Sequence, residues 1–267
     1  MRNLLYIFIL FLASSKTFAY NPFWTHTDKK LITAIVNLDK YNPKQVEQYF
    51  KQQKIQKCDT SKEFLGFGWK MWSPGIGAGY ISISAIFYYF NDSLVSYSLI
   101  PRLPEEKGLQ KRYKKWYGDY FCYSNSKIQP FNLNQSAVLK PLKQYTGVIK
   151  NIPEKIANYM TPNSGTMYGY AGGETILQNR KAFLEIKDSL TNEQLILLLY
   201  SINPASRLTA IEYYWNRKDS FGYNEAINEW VEQNFKEMPT VKSMFGCFSV
   251  TEETKFFVYI HSLIVDK

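Results

Sequence analysis

Several apolar patterns run along this chain, and each predicts a different element. Leu4 to Ala13 is an almost continuous apolar run behind a short positive start, Met1-Arg2-Asn3, and Ser14-Ser15-Lys16-Thr17-Phe18-Ala19 follows it. The run is too short to cross a bilayer, and small residues stand at the cleavage end. Residues 1–19 are therefore expected to be a secretory signal peptide, with Tyr20 opening the mature chain. No later apolar stretch approaches the roughly 18–20 residues a membrane span needs, so no span is expected after cleavage.

From residue 20 to 125 the pattern mixes helix and strand. Asn42-Pro43 places a capping side chain before a proline suited to a first helical turn, and Val46, Tyr49 and Phe50 follow at helical spacing. Phe64 to Trp72 is aromatic and punctuated by glycine, ending at the turn signal Ser73-Pro74-Gly75. Ile81, Ile83, Ala85, Phe87 and Tyr89 then alternate onto one face, Asn91-Asp92-Ser93 turns the chain, and Leu94 to Ile100 alternates again. That is a β-hairpin. Pro101 and Pro104 close it, and Glu105 to Tyr117 reads as a helix with Leu109, Tyr113 and Trp116 on one side. Lys107, Lys111, Lys114 and Lys115 cover the other side. This order predicts an α+β domain, a helix packed on an antiparallel sheet, over 20–125.

Residues 126–150 carry no clear period and read as a connector. Beyond them, 151–267 is expected to be a mainly helical domain. Thr191-Asn-Glu-Gln194 has the spacing of a capping box, with Leu190 and Leu195 placed as a hydrophobic staple, and that helix should run to about Ser201. Asn203-Pro204 starts the next helix, making an antiparallel helical hairpin over 190–216. Leu195-Ile-Leu-Leu-Leu followed by Asn203-Pro204-Ala-Ser-Arg207-Leu208-Thr-Ala210 resembles one HEAT-type unit. The wider passage, about 168–216, is similar to segments of uncharacterised exported bacterial proteins containing a single HEAT-like hairpin. No second copy occurs at a fixed period, so the resemblance implies a small all-helical HEAT-like domain rather than a superhelical array. It also implies an interaction or structural role, with Arg207 bridging to a neighbouring turn or carboxylate.

Charge narrows the choice of partner. The formal net charge of +9 falls to +7 when Arg2 and Lys16 leave with the signal peptide, and it rests on 26 Lys against 6 Arg. Readers of nucleic acid lean on the bidentate fork of arginine, and no recognition motif is present, so no nucleic-acid partner is expected. Three cysteines, Cys58, Cys122 and Cys247, in an exported chain suggest one disulfide and one free thiol. Of the three pairings Cys58–Cys122 is favoured, because both lie in the first domain; three buried thiols are the alternative.

Candidate chemistry is thin. His26 and His261 stand far apart with no metal spacing, and no cofactor or metal is expected. His26-Thr27-Asp28 reads as a surface segment. Ser124-Asn-Ser-Lys127 satisfies Ser-x-x-Lys but has no Lys-Thr-Gly partner strand, and Gly75-Ile-Gly77-Ala-Gly79 precedes a strand where a dinucleotide loop needs a helix. Cys247 and His261 would be a thiol–imidazole pair only if the fold joined them, and Cys247 lies in an apolar run suited to a buried thiol. Gly172-Gly173-Glu174 leads into a helix start and is a candidate anion or structural site, as is Arg207. Glu212, five residues after Arg207, has no partner legible in the sequence. Aromatic residues make up 17 % of the chain. Phe64, Phe67, Trp69, Trp72 and Tyr80 are expected in the core, with stacking on sugars as the alternative.

No catalytic set is complete. The expected function is a non-catalytic binding or structural protein of the cell envelope, periplasmic or secreted, with another envelope protein as its partner. One alternative is an envelope hydrolase of glycan or peptide polymers using two of Glu63, Asp92, Asp119, Glu174 and Glu212. The other is a binder of anionic envelope polymer or lipid through Lys107, Lys111, Lys114 and Lys115.

Overall fold

In the computed structural model, residues 21–39, 41–53, 62–102, 104, 106–117, 123–124, 127–128, 152–169, 176–221, 224–245 and 248–263 are described. Two helices come first among the described residues. Helix α1 (Pro22–Val36) begins on Asn21, whose side chain accepts from Phe23 N–H, and α2 (Pro43–Gln52) begins on Asn42, which accepts from Gln45 N–H. The same Asn-Pro device is used twice, a side-chain acceptor followed by a residue that lacks the orphan donor.

The sheet follows. Strands β1 (Glu63–Gly66) and β2 (Trp69–Trp72) form a tight hairpin, turning through Gly66, Phe67 and Gly68, all at positive φ. Short β3 (Gly75–Gly77) leads to the long pair β4 (Ser82–Phe90) and β5 (Ser93–Arg102). Every pairing is antiparallel. One edge of β4 is shared, Phe87–Phe90 facing β2 and Ser82–Ser84 facing β3, while β5 runs along its other edge.

Alternation along β4 sets the layers. Ile81, Ile83, Ala85, Phe87 and Tyr89 face a core completed by Trp72, Tyr97 and Leu99 of the sheet and by Leu31, Ile32, Val46 and Phe50 of α1 and α2. Tyr113 joins them from α3 (Lys107–Tyr117). Tyr88 points the other way. With Leu65, Trp69 and Met71 it enters a second core built by the chain beyond residue 151. The sheet is thus a central layer with helices on both faces.

Beyond the small ladder of β6 (Tyr123–Ser124) and β7 (Lys127–Ile128), the second core is supplied by α4 (Glu154–Tyr159), α5 (Gln178–Leu184), α6 (Asn192–Leu198), α7 (Pro204–Phe221) and α8 (Glu225–Glu237). α9 (Thr254–Ser262) adds Val258. The capping box forms as expected, Thr191 Oγ1 accepting from Gln194 N–H while Gln194 Oε1 accepts from Thr191 N–H.

The molecule is mixed α+β. Its second half is not all-helical, however: β8 (Thr240–Phe245) and β9 (Phe248–Glu253) form an antiparallel hairpin between α8 and α9. Trp116, expected on the inward side of α3, is 44 % exposed, because α3 is anchored by Tyr113 alone at full burial.

Candidate functional site

α7 carries most of the polar chemistry, and it is turned inward. At its start Asn203 Oδ1 accepts from Ala205 N–H at 3.1 Å. The same amide donates to Thr161 O, Ser164 Oγ and Gly165 O at 3.2, 2.8 and 2.7 Å, so the cap also fixes the 161–165 turn. One turn on, Ser206 Oγ donates to Tyr159 O at 2.6 Å and accepts from Asn179 Nδ2 at 2.9 Å. Apart from half-buried Gly165, these residues are all buried. A polar group withdrawn from water needs such partners, or it costs stability.

Arg207 is 1 % exposed. Its Nε donates to Asn234 Oδ1 at 2.9 Å, Nη1 to Ser201 O and Ile202 O at 2.7 and 3.1 Å, and Nη2 to Leu65 O at 2.5 Å. Burial pulls its pKa down to about 9, with the Glu237 carboxylate opposing that shift, so the guanidinium is protonated at neutral pH. Of the two roles for Arg207, ligand or bridge, this geometry is that of a bridge.

Glu212 finds its partner in Arg180 of α5. Nη1 and Nη2 reach the two carboxylate oxygens at 3.0 and 2.6 Å, and Tyr168 OH donates to Oε2 at 2.9 Å. Both side chains of the pair are at most 1 % exposed. His261 packs edge-on against Tyr168 and Phe257 beside them. Burial first, then the Arg180 charge, lowers its pKa to about 4. Nothing in the sequence pattern singles out Arg180, because its partner lies 32 residues away.

A second buried carboxylate corrects the reading of 26–28 as a surface segment. His26 is exposed, but Asp28 is 0 % exposed within α1. Its oxygens accept from the backbone N–H groups of Gly79 at 2.6 Å and Tyr80 at 2.9 Å, and from Tyr113 OH. One carboxylate thereby ties α1, α3 and the β3–β4 loop together. Gly79 is required there, since a Cβ would lie 2.4 Å from Trp24 O. The signal that would have found α1 is Asn21-Pro22, the same cap as at Asn42-Pro43.

The remaining candidates divide cleanly. Lys107, Lys111, Lys114 and Lys115 are exposed on α3. Gly75 and Gly77 lie in β3, so their loop opens a strand ladder and not a helix. Ser124 pairs with Lys127 across β6 and β7, outside any helix. Trp69 and Trp72 are buried, whereas Phe64 is 47 % exposed. Cys58, Cys122 and Cys247, with the proposed Cys58–Cys122 bridge, lie outside the described residues, as do Asp119, Gly172, Gly173 and Glu174. Among the described residues, no group of three or more His, Cys, Asp or Glu is placed to hold a metal ion. Among them, too, no helix is long and apolar enough to cross a membrane.

One cleft brings a predicted carboxylate next to one that was not singled out. It has a volume of about 290 Å³ and is lined by Glu63, Phe64, Glu237, Met238, Val241 and Lys242, among others. Lys242 Nζ stands 3.3 Å from Glu63 Oε1, and Glu237 Oε2 accepts from Phe67 N–H at 3.2 Å. Both carboxylates therefore already have partners. Comparison with protein-family models, curated proteins and solved structures found no match.

Proposed function

We propose that this is an exported, non-catalytic binding or structural protein of the cell envelope. The observation that supports the reading is how the ionisable groups are used. Asp28, Arg180, Arg207 and Glu212, the groups with the strongest chemistry near the cores, are sealed from solvent and bonded to the protein itself. A general acid or a nucleophile has to reach its substrate, and these four hold layers together instead. The signal-like start and the resemblance of 190–216 to a HEAT-type hairpin favour the same reading.

The experiment is to crosslink the tagged protein in its own cells and identify what co-purifies. One dominant protein partner, lost when the 190–216 hairpin is disrupted, is the expected result. Turnover of an envelope polymer by the purified protein, abolished by a single substitution, would overturn it.

A second reading, an envelope hydrolase, draws on the cleft holding Glu63 and Glu237 beside the exposed ring of Phe64. Paired carboxylates flank the scissile bond in most glycosidases. Glu63→Gln and Glu237→Gln would each abolish such turnover without unfolding the protein.

A further inference from the structure

We infer that α9 pairs with α9 of a second copy of this chain, giving a weak twofold dimer; this goes beyond the role proposed above and does not depend on it. One side of α9 is committed inward. Thr254, Val258, His261 and Ser262 are buried, and Val258 joins the core where the helix packs on α7. The opposite side is bare. Phe256 is 61 % exposed, and Tyr259, Ile260 and Leu263 are between 36 % and 56 % exposed. Leu263 N–H still donates to Tyr259 O, so it keeps the helical turn. At about 100° per residue these four fall within one sector of about 100°, a continuous apolar stripe. Single exposed apolar side chains are ordinary, but a stripe is not. The three that α1 exposes, Phe23, Trp24 and Val36, are spaced so that they spread around the helix.

The stripe is its own complement. Positions 256, 259, 260 and 263 are symmetric about a point between Tyr259 and Ile260. Two copies packed antiparallel about a twofold axis there bring Phe256 onto the partner's Leu263, and Tyr259 onto the partner's Ile260. Both aromatics lie in the first half of the stripe and both aliphatics in the second. Each contact therefore sets a large ring against a smaller branched chain, an alternation that fills an interface. A parallel pair would set ring on ring and leave the aliphatics facing each other.

Charge favours a copy over a bilayer. Glu252 and Glu253 stand exposed at the start of α9, and its one lysine, Lys255, is held by Glu232 at 2.9 and 3.0 Å. An anionic bilayer would be repelled there, whereas the stripe carries no charge to repel its own copy. The four side chains leave on the order of 400 Å² open. A pair thus buries about 800 Å² from them alone, and with its flanks reaches the lower end of specific interfaces. That area fits a reversible dimer with a Kd of about 10–100 µM.

The test is sedimentation velocity of the protein purified from its own cells, over about 1–300 µM. Monomer should give way to dimer as concentration passes the Kd. Ile260→Glu places two like charges at the axis and should weaken the dimer at least about 100-fold. Phe256→Lys and Leu263→Glu should each weaken it about tenfold or more. Mixed together, those two variants should pair to within about threefold of the wild-type affinity. Antiparallel packing sets the introduced lysine against the introduced glutamate at one end and leaves the native contact at the other. All three positions are exposed, so the variants should keep the wild-type circular dichroism.

A protein that stays monomeric to about 300 µM, a dimer indifferent to Ile260→Glu, or a mixture that fails to pair would each overturn the proposal. So would flotation of a monomer with phosphatidylcholine vesicles that Ile260→Glu abolishes, which would give the stripe to a bilayer.

Discussion

Arg207 Nη2 donates to the main-chain oxygen of Leu65, a contact between residues 142 positions apart that closes the open edge of the sheet. Among the described residues β1 is an edge strand, paired only with β2, and an uncovered edge is a template for other chains. Two side chains bond to its end and to the turn that follows, Arg207 on Leu65 O and Glu237 on Phe67 N–H. Arg207→Met removes the donors to Leu65, Ser201 and Ile202 and leaves buried carbonyls without partners. The expected loss is about 3–5 kcal/mol, read from the urea midpoint, with added self-association by light scattering.

Gly66 makes that contact sterically possible. It sits at φ +84°, and a Cβ there would lie 2.7 Å from Arg207 Nη2. Gly66→Ala therefore meets both backbone strain and a displaced guanidinium. A destabilisation of about 1–3 kcal/mol is expected. In the Arg207→Met background the clash is gone, so the increment should shrink toward the backbone component alone.

Arg180 and Glu212 are worth more as a pair than either is alone. Each single truncation strands a buried charge, so Arg180→Met and Glu212→Leu should each cost about 3–5 kcal/mol. The double variant removes both charges and should recover most of that loss, which a double-mutant cycle would measure as coupling. Additive losses would mean that the two side chains do not act as a pair.

Asp28 predicts a local effect. Asp28→Ala leaves the N–H groups of Gly79 and Tyr80 and the hydroxyl of Tyr113 without their acceptor. Hydrogen exchange at residues 79–81 and in α3 should accelerate far more than in α7. Tyr113→Phe removes the hydroxyl's bond to Asp28 and should cost about 1–2 kcal/mol.

Local grammar accounts for what could be read beforehand. The β4–β5 hairpin, the Asn42 cap, the capping box at Thr191 and the outward lysines of α3 are each encoded within a dozen residues. The β8–β9 hairpin was missed although Val241 and Ser243 alternate inward, because its strands are only six residues long and sit between helices. Arg180, Asp28 and the Glu63–Glu237 cleft depend on contacts across tens to hundreds of positions, for which one sequence carries no signal. Arg207 lay between: its bridging role was implied by resemblance, but the carbonyl of Leu65 was not.

His261 gives a dependence on pH. In the folded chain its pKa is about 4, below the ordinary 6.5, because it is buried against Tyr168 and Phe257 and faces the Arg180 charge. Between those values the unfolded chain binds a proton that the folded chain refuses. Stability therefore falls as pH drops from 6.5 toward 4. After allowance for solvent screening, the contribution is on the order of 1–2 kcal/mol. The Glu47 carboxyl acts in a different window. Burial pushes its pKa up, but hydrogen bonds from Lys51 and Tyr89 outweigh that and leave it below 4.5, so its contribution fades only in stronger acid. Urea denaturation at a series of pH values should give a shallower slope for His261→Phe than for the wild type between pH 6.5 and 4. Parallel curves would show that the imidazole takes up its proton equally in the folded and unfolded chains, and that burial and the Arg180 charge do not depress its pKa.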